Sequence, residues 1–396
     1  MEHAELDALL TPEAMALLDG LDPVETANDV TRVVSRLRAA GHGPDLVSAV
    51  VGQSRLRHRA RAKFGEFASR MLFTRAGLEQ ATRMSVSAHH AGRFARTGLG
   101  TVADLGCGIG GDSLAFASLG LGVLAVDADD VTAALAAYNL RPFGDAVDVR
   151  HGTAETTNVD GADGVWLDPA RRTTGHNETR RVSADDYSPS LDWTFALAGR
   201  TPAGIKLGPA HDRDALPEGC EAQWISVDGS TVELVVWTGA LAREGVGRAA
   251  LVIRGDAAHE LTSPADTVDE PVRELGSFIH EPEGSVIRAR LVGDVARSLD
   301  AGPTASRIAY LTGDAEKRSP FATTFRIRET LPADPKPLAK ALRARGIGTL
   351  EIKKRGVDID PAELRKKLKL SGSEKATLFV TRIGGRRTAI LADRLE

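Results

Sequence analysis

Cysteine is nearly missing from this chain. Of 396 residues only Cys107 and Cys220 carry thiols, which excludes a disulfide framework and a cysteine-based zinc site and fits a reducing compartment. No apolar run approaches the ~20 residues of a membrane span. The opening Met1-Glu2-His3-Ala4-Glu5 lacks the basic-then-apolar pattern of a signal peptide, so a cytoplasmic protein without a membrane partner is expected. His89, His90, His151, His176 and His211 show no metal-ligand spacing, and no metal is expected. What remains is a globular composition, 42% hydrophobic and 26% charged, long enough for two or three domains.

The formal net charge of −4 hides an asymmetry. Residues 324–396 hold 18 basic against 9 acidic residues and residues 1–98 hold 13 against 11, while the stretch between them holds 19 against 34. Within the first block, residues 50–98 carry ten arginines and lysines against Glu66 and Glu79. Arg55 and Arg59 lie four apart, as do Arg57 and Arg61, so a helix there bears two rows of like charge that phosphates or counter-ions would relieve. Two readings stay open: solvated helix faces, or basic arms that hold a polyanion beside an acidic core.

Residues 1–98 read as a helical domain, with helices over 11–19, 24–40, 44–63 and 76–95. From 101 the pattern changes to alternating strands (101–106, 122–127, 147–151, 164–168, 203–207) and helices (111–119, 129–140, 188–199), which implies a mostly parallel sheet. Two apolar runs flanking Asp228-Gly229 predict a hairpin, because both turn positions must tolerate positive φ. An α/β domain is therefore expected over 99–240. Residues 241–323 read as a bridging α/β extension, with a strand at 249–253, a polar loop at 261–270, a helix at 285–298 and a strand at 307–311. Residues 324–396 form a basic α+β unit in which Asp360 is a fitting N-cap before Pro361. Cys220 is expected to begin the sixth strand and to sit in the core.

The chain is organised around one stretch. The strand 101–105 feeds Gly106-Cys107-Gly108-Ile109-Gly110-Gly111, and Asp112 opens a helix. Glycines let backbone N–H groups approach a ligand, and the first helical turn has donors to spare. Gly106-x-Gly108-x-x-Gly111 formally matches the dinucleotide fingerprint. Asp104 and Asp112 argue against a diphosphate, because carboxylates there repel phosphate but suit the cationic amino-acid end of S-adenosylmethionine. Asp127, at the end of the next strand, suits ribose hydroxyls. The Asp228-Gly229 hairpin fits the reversed last strand of a class I methyltransferase and has no place in a plain dinucleotide domain.

On these residues the stretch 101–240 resembles a class I S-adenosylmethionine-dependent methyltransferase, with residues 102–112 as its first motif, Val126-Asp127-Ala128-Asp129 as its second and Leu167-Asp168-Pro169-Ala170-Arg171-Arg172 as its fourth. The whole chain resembles bacterial methyltransferases with a C-terminal THUMP-like domain, relatives of the RNA cap guanine-N2 (trimethylguanosine synthase-like) enzymes. The resemblance implies a Rossmann-like seven-stranded sheet between a helical domain and an α+β THUMP-like domain. It implies that Gly106, Cys107, Gly108 and Gly110 admit the methionine moiety and that Asp104 and Asp112 lie near it. Asp127 would take the ribose hydroxyls and Ala128 would pack on the adenine. Thr153 and Ala154 would lie at the adenine amine, where Thr153 replaces the usual Asp.

Asp168-Pro169 ends the fourth strand, where ligands bind in open sheets. Amine-methylating relatives carry an acid or amide, two prolines and an aromatic there. This chain has Ala170-Arg171 instead, so the aromatic that stacks on a base is missing, and Trp166 reads as a core residue. Arg171 and Arg172 are candidate phosphate or base contacts. Thr74, Glu79 and Gln80 occupy the segment that contacts substrate and cofactor in the related cap enzymes. Covalent catalysis is disfavoured, because Cys107 lies in the cofactor turn and Lys206-Leu207-Gly208-Pro209 holds no cysteine. The expected protein is an S-adenosylmethionine-dependent enzyme that methylates an exocyclic purine amine of RNA, gripped by the regions 55–63 and 324–396. The alternatives are a small-molecule or protein methyltransferase, or a catalytically weakened RNA-binding protein.

Overall fold

The computed structural model of the protein describes residues 1–171 and 187–395; Arg172 lies outside the described residues. The chain divides into two compact units, the first built from residues 1–207, 211–220 and 235–243, the second from 208–210, 221–234 and 244 onward.

The first unit opens with helices α1 (His3–Leu9), α2 (Pro12–Asp19), α3 (Ala27–Ala39), α4 (Pro44–Phe64), α5 (Arg75–Gln80) and α6 (Met84–Arg96). Local signals start them. Pro12 and Pro44 occupy first-turn positions, Thr11 caps α2, and Thr26 with Asp29 forms a capping box on α3. The helix expected over 76–95 is two helices. No glycine or proline divides it; the Lys63 ammonium does, by donating to the carbonyls of Leu78 (2.8 Å), Glu79 (2.7 Å) and Ala81 (2.8 Å). Those bonds end α5 and leave Thr82 free to turn inward. Leu6, Leu18, Val50 and Leu72 of this layer pack against Val131 and Leu135.

The α/β part follows as β1 (Thr101–Leu105), α7 (Gly111–Ser118), β2 (Gly122–Asp127), α8 (Asp130–Leu140), β3 (Val147–His151) and β4 (Gly164–Leu167). The short strands β5 (Ala170–Arg171) and β6 (Tyr187–Ser188) pair antiparallel. Then come α9 (Leu191–Ala198), β7 (Ala203–Leu207), β8 (Glu221–Val227) and β9 (Ser230–Trp237). In this unit the strand order is β3-β2-β1-β4-β7-β9, with residues 235–237 supplying β9, and the pairs from β3 to β7 are parallel. Buried along nearly its whole length, β1 is the central strand of a parallel sheet.

In the second unit, residues 230–234 of β9 adjoin β8, and β10 (Arg248–Arg254) and β11 (Ala257–Ser263) continue the order β9-β8-β10-β11. Of the strands implied by the resemblance, those from β3 to β7 with residues 235–237 of β9 lie in the first unit, and β8 with residues 230–234 of β9 lies in the second, which adds β10 and β11. Asp228 (φ 48°) and Gly229 (φ 82°) make the expected tight turn. Cys220 precedes β8 instead of beginning it and is only partly buried, and the loop expected at 261–270 starts as the end of β11.

A second sheet joins β12 (Phe278–Pro282), β13 (Gly302–Ala305), β14 (Ile308–Gly313), β15 (Ala322–Pro332), β16 (Ile347–Lys354), β17 (Glu374–Ile383) and β18 (Arg386–Arg394) in the order β13-β14-β12-β15-β18-β17-β16. The boundary expected at 323/324 falls inside β15. The helix expected over 285–298 is two, α10 (Gly284–Arg288) and α11 (Val292–Leu299). Helices α12 (Pro335–Ala344) and α13 (Pro361–Leu368) bury Leu338, Leu342, Leu364 and Leu368 against Leu378, Val380 and Leu391 of the sheet. No helix among the described residues is long and apolar enough to cross a membrane.

Candidate active site

The turn after β1 is shaped by left-handed glycines. Gly106 (φ 96°), Gly108 (φ 56°) and Gly110 (φ 86°) adopt backbone that other residues rarely take, and Gly110 stands at the N-cap of α7. A Cβ on Gly106 would come within 3.0 Å of the Asp168 carbonyl oxygen, so the turn and the end of β4 touch backbone to backbone. A Cβ on Gly108 would meet nothing within 4 Å: that side of the turn is open. The N–H groups of Gly106 and Cys107 both donate to the Val126 carbonyl, at 2.9 and 3.0 Å, and the buried Cys107 fills space in the turn.

Asp127 ties the second motif to the first. Its Oδ2 accepts from the Gly108 N–H and its Oδ1 from the Asp129 N–H, both at 2.9 Å. Burial nevertheless raises its carboxyl above the ordinary value. A carboxylate has about four lone-pair sites, so a pair of ribose hydroxyls would still find acceptors. Ala128 follows directly, its carbonyl accepting from His151 Nε2 at 3.2 Å. Thr153 uses its hydroxyl locally, with Thr156 Oγ1 at 3.0 Å and the Thr153 carbonyl taking the Thr157 hydroxyl, and Ala154 beside it is buried.

Beneath the turn lies a knot of buried acids. Asp104 Oδ2 accepts the Ser113 hydroxyl at 2.5 Å, while Asp104 Oδ1 is buried without a hydrogen-bond partner among the described residues. Burial, with the nearby charge of Asp112, pushes this carboxyl up to about 8 against the pull of Ser113. Burial would raise Asp112 as well, but the hydrogen bond and charge of His90, with Lys206 and Thr82, hold it down at about 2. Asp112 accepts from Thr82 Oγ1 (2.8 Å) and His90 Nδ1 (2.9 Å) and so anchors the helical layer to α7. An orphaned carboxylate oxygen beside a glycine turn is a fitting partner for an ammonium, and the residues present therefore fit the amino-acid end of S-adenosylmethionine.

At the end of β4, Asp168 is one-third exposed and its Oδ2 lies 2.5 Å from Lys206 Nζ on β7. Lys206 Nζ also donates to Thr82 Oγ1 at 3.0 Å. Pro169 leads into β5, whose Arg171 stands opposite Tyr187 in register. Trp166 is fully buried, stacked 4.3 Å from His90 and 5.8 Å from Trp237, as a core aromatic. Thr74 caps α5 by accepting the Gly77 N–H at 2.8 Å. A Cβ on Gly77 would lie 2.6 Å from Ile109 Cγ2, which sets α5 directly on the glycine turn. Glu79 and Gln80 on that helix are exposed, Glu79 facing Arg75 at 3.6 Å and Arg59 at 3.9 Å.

The phosphate-gripping helix needs correction. Arg57 is buried, donating to the Met71 carbonyl and to Asp19, both at 2.9 Å, and Lys63 is spent on the three carbonyls of 78, 79 and 81. Arg55, Arg59 and Arg61 remain exposed. The knot of Thr82, His90, Asp112 and Lys206 also escapes sequence reading. Only the density of polar residues around 82–90 hinted at it.

Two curated relatives from Mycobacterium tuberculosis, strains CDC 1551 and H37Rv, are each 33% identical over 363 residues, covering 88% of this chain and 95% of theirs; both are described as uncharacterized S-adenosylmethionine-dependent methyltransferases. The chain belongs to this methyltransferase family. S-adenosylmethionine is accordingly its cofactor. Residues 322–394 match a family described as THUMP domain-like, and residues 2–60 match a domain of unknown function. A crystal structure described as a methyltransferase of Porphyromonas gingivalis W83 shares the fold, with a TM-score of 0.77 and 22% identity over 100% of this chain and 99% of that one.

Proposed function

We propose that this methyltransferase acts on RNA, at an exocyclic amine of a purine, with guanine N2 the type of target. The observation that carries the reading is the backbone contact between Gly106 and Asp168, which brings a one-third-exposed carboxylate to the cofactor turn. The cofactor supplies a methyl group already activated on a sulfonium, so positioning is the chain's main task. Asp168 accepts an N–H of the amine and holds the nitrogen lone pair toward the methyl carbon. With the cofactor bound, the N–C bond would form as the C–S bond breaks and the sulfur leaves as a neutral thioether, and the proton shed by nitrogen would leave through Asp168 to solvent. The exposed Arg365, Lys367 and Lys369 of the THUMP-like unit, which form no ion pair among the described residues, support a polyanionic substrate.

The experiment is transfer of labelled methyl from S-adenosylmethionine to fractionated RNA, protein and small molecules from a strain lacking the protein, followed by nucleoside analysis. Label in a purine methylated on its amine is expected. Label confined to protein or small molecules would replace this reading with the second one, a methyltransferase of those substrates, which the missing aromatic at Ala170-Arg171 favours. No label in any fraction would leave a catalytically weakened RNA-binding protein.

A further inference from the structure

We propose that Lys206 is the positioning residue of the acceptor site: it fixes the Asp168 carboxylate, keeps it ionised, and ties it through Thr82 to the helix that follows the cofactor turn. The inference rests on Asp168 as the holder of the acceptor amine and adds what holds Asp168.

Hydrogen-bond direction carries the argument. Asp112, held as a carboxylate by His90, only accepts, so the single hydrogen of Thr82 Oγ1 goes to Asp112 Oδ2 at 2.8 Å. Thr82 can then only accept from Lys206, at 3.0 Å, and Lys206 also donates to Asp168 Oδ2, at 2.5 Å. The chain Asp168–Lys206–Thr82–Asp112 therefore runs one way, from the ammonium outward to two acids. It links the ends of β4 and β7 to the first turn of α7. Lys206 is 15% exposed and Asp168 34%, so the carboxylate is the more exposed member of the pair.

Other charges face Lys206 as well: the Asp112 carboxylate is of opposite sign, Lys63, across the break between α5 and α6, is of like sign, and Asp104 nearby keeps its proton near neutral pH. With two acids and a committed hydroxyl around it, the ammonium is a fixed cation whose charge balances Asp168. A carboxylate so balanced stays ionised while it accepts the amine N–H, and it surrenders the shed proton readily to solvent. A pair serving packing alone would have no reason to leave its carboxylate at the open edge of the sheet beside Gly106.

The test compares full-length wild type with Lys206→Met, Lys206→Gln and Asp168→Ala. Methyl transfer from tritiated S-adenosylmethionine to total RNA of a strain lacking the protein is followed between about pH 5 and pH 9. Cofactor binding is measured by calorimetry. Both Lys206 variants are expected to bind the cofactor within about threefold of wild type, to lose at least ~10-fold in kcat with smaller change in KM, and to show the acidic limb of the profile moved up by about one pH unit. The glutamine variant, which keeps a donor for Thr82 but not the charge, is the readout if the methionine variant fails to fold. An unmoved acidic limb, or collapse of cofactor binding in both variants, would overturn the role of Lys206 and make it a structural residue. Full activity of Asp168→Ala would instead sink the reading of Asp168 itself.

Discussion

Helix α4 ends on five cations in residues 55–63, and α13 with its C-cap Lys369 carries four in residues 365–369, yet the two segments spend their charge differently. In α4 the side chains of Arg57 and Lys63 point into the first unit, where Arg57 satisfies the Met71 carbonyl and Lys63 three more. In α13 Lys366 pairs with Glu363 at 2.7 Å, and Arg365, Lys367 and Lys369 stay in water. Burial separates the two cases. A cation that must leave water stays only where several acceptors replace its hydration, and such a cation becomes part of the architecture. An exposed cation keeps its hydration shell and remains available to a phosphate.

Substituting Lys63 by Met tests the inward half of this contrast most severely. Three carbonyls would lose their donor, and a destabilisation of about 2–3 kcal/mol is expected in urea unfolding, together with loss of methyl transfer. A change no larger than that of an exposed lysine would erase the distinction between the two helices.

Asp127 is the acidic counterpart, with both oxygens holding backbone N–H groups. Asp127→Ala is expected to weaken S-adenosylmethionine binding by at least ~30-fold in calorimetry, from lost ribose acceptors and a loosened turn. Unchanged affinity would contradict the ribose assignment.

Buried Asp104 gives a smaller, pH-dependent effect. Its folded-state carboxyl, at about 8, lies above the ordinary value of 3.8. The folded protein therefore keeps a proton that the unfolded chain releases, and this contribution to stability is full below about pH 4 and falls as pH rises to about 8. Pairing with the cofactor ammonium should ionise the group. Proton release is expected near neutral pH, visible as a buffer-dependent binding enthalpy that Asp104→Asn abolishes. A buffer-independent enthalpy in wild type would argue against the pairing.

The outward half is tested by replacing Arg365, Lys367 and Lys369 together with Ala. Thermal stability should move by no more than about 0.5 kcal/mol, while a gel shift with total RNA should weaken and lose part of its salt dependence. If RNA binding survives unchanged, the exposed cations are only solvated charge.

Much of the first unit was legible in the sequence because its signals are local. The glycines at 106, 108 and 110, Asp127 closing β2, Asp168 closing β4 and the Asp228-Gly229 turn each announce themselves within a few residues. The helix break at 81–83 does not, since its cause, Lys63, sits nearly twenty residues earlier. Likewise the inward turn of Arg57 and the partners of Lys206 depend on carbonyls and hydroxyls brought in from other elements. Periodicity gives a helix its faces, but it does not say which charge on a mixed face finds enough acceptors to be buried.

Gly77 carries one last consequence. With Ile109 only 2.6 Å from the place a Cβ would occupy, α5 rests on the glycine turn with the thickness of a hydrogen atom to spare. That position is a shim. A side chain there would have to displace Ile109 and Thr74 together, so residue 77 gauges how closely the roof must fit for the turn below it to keep its shape.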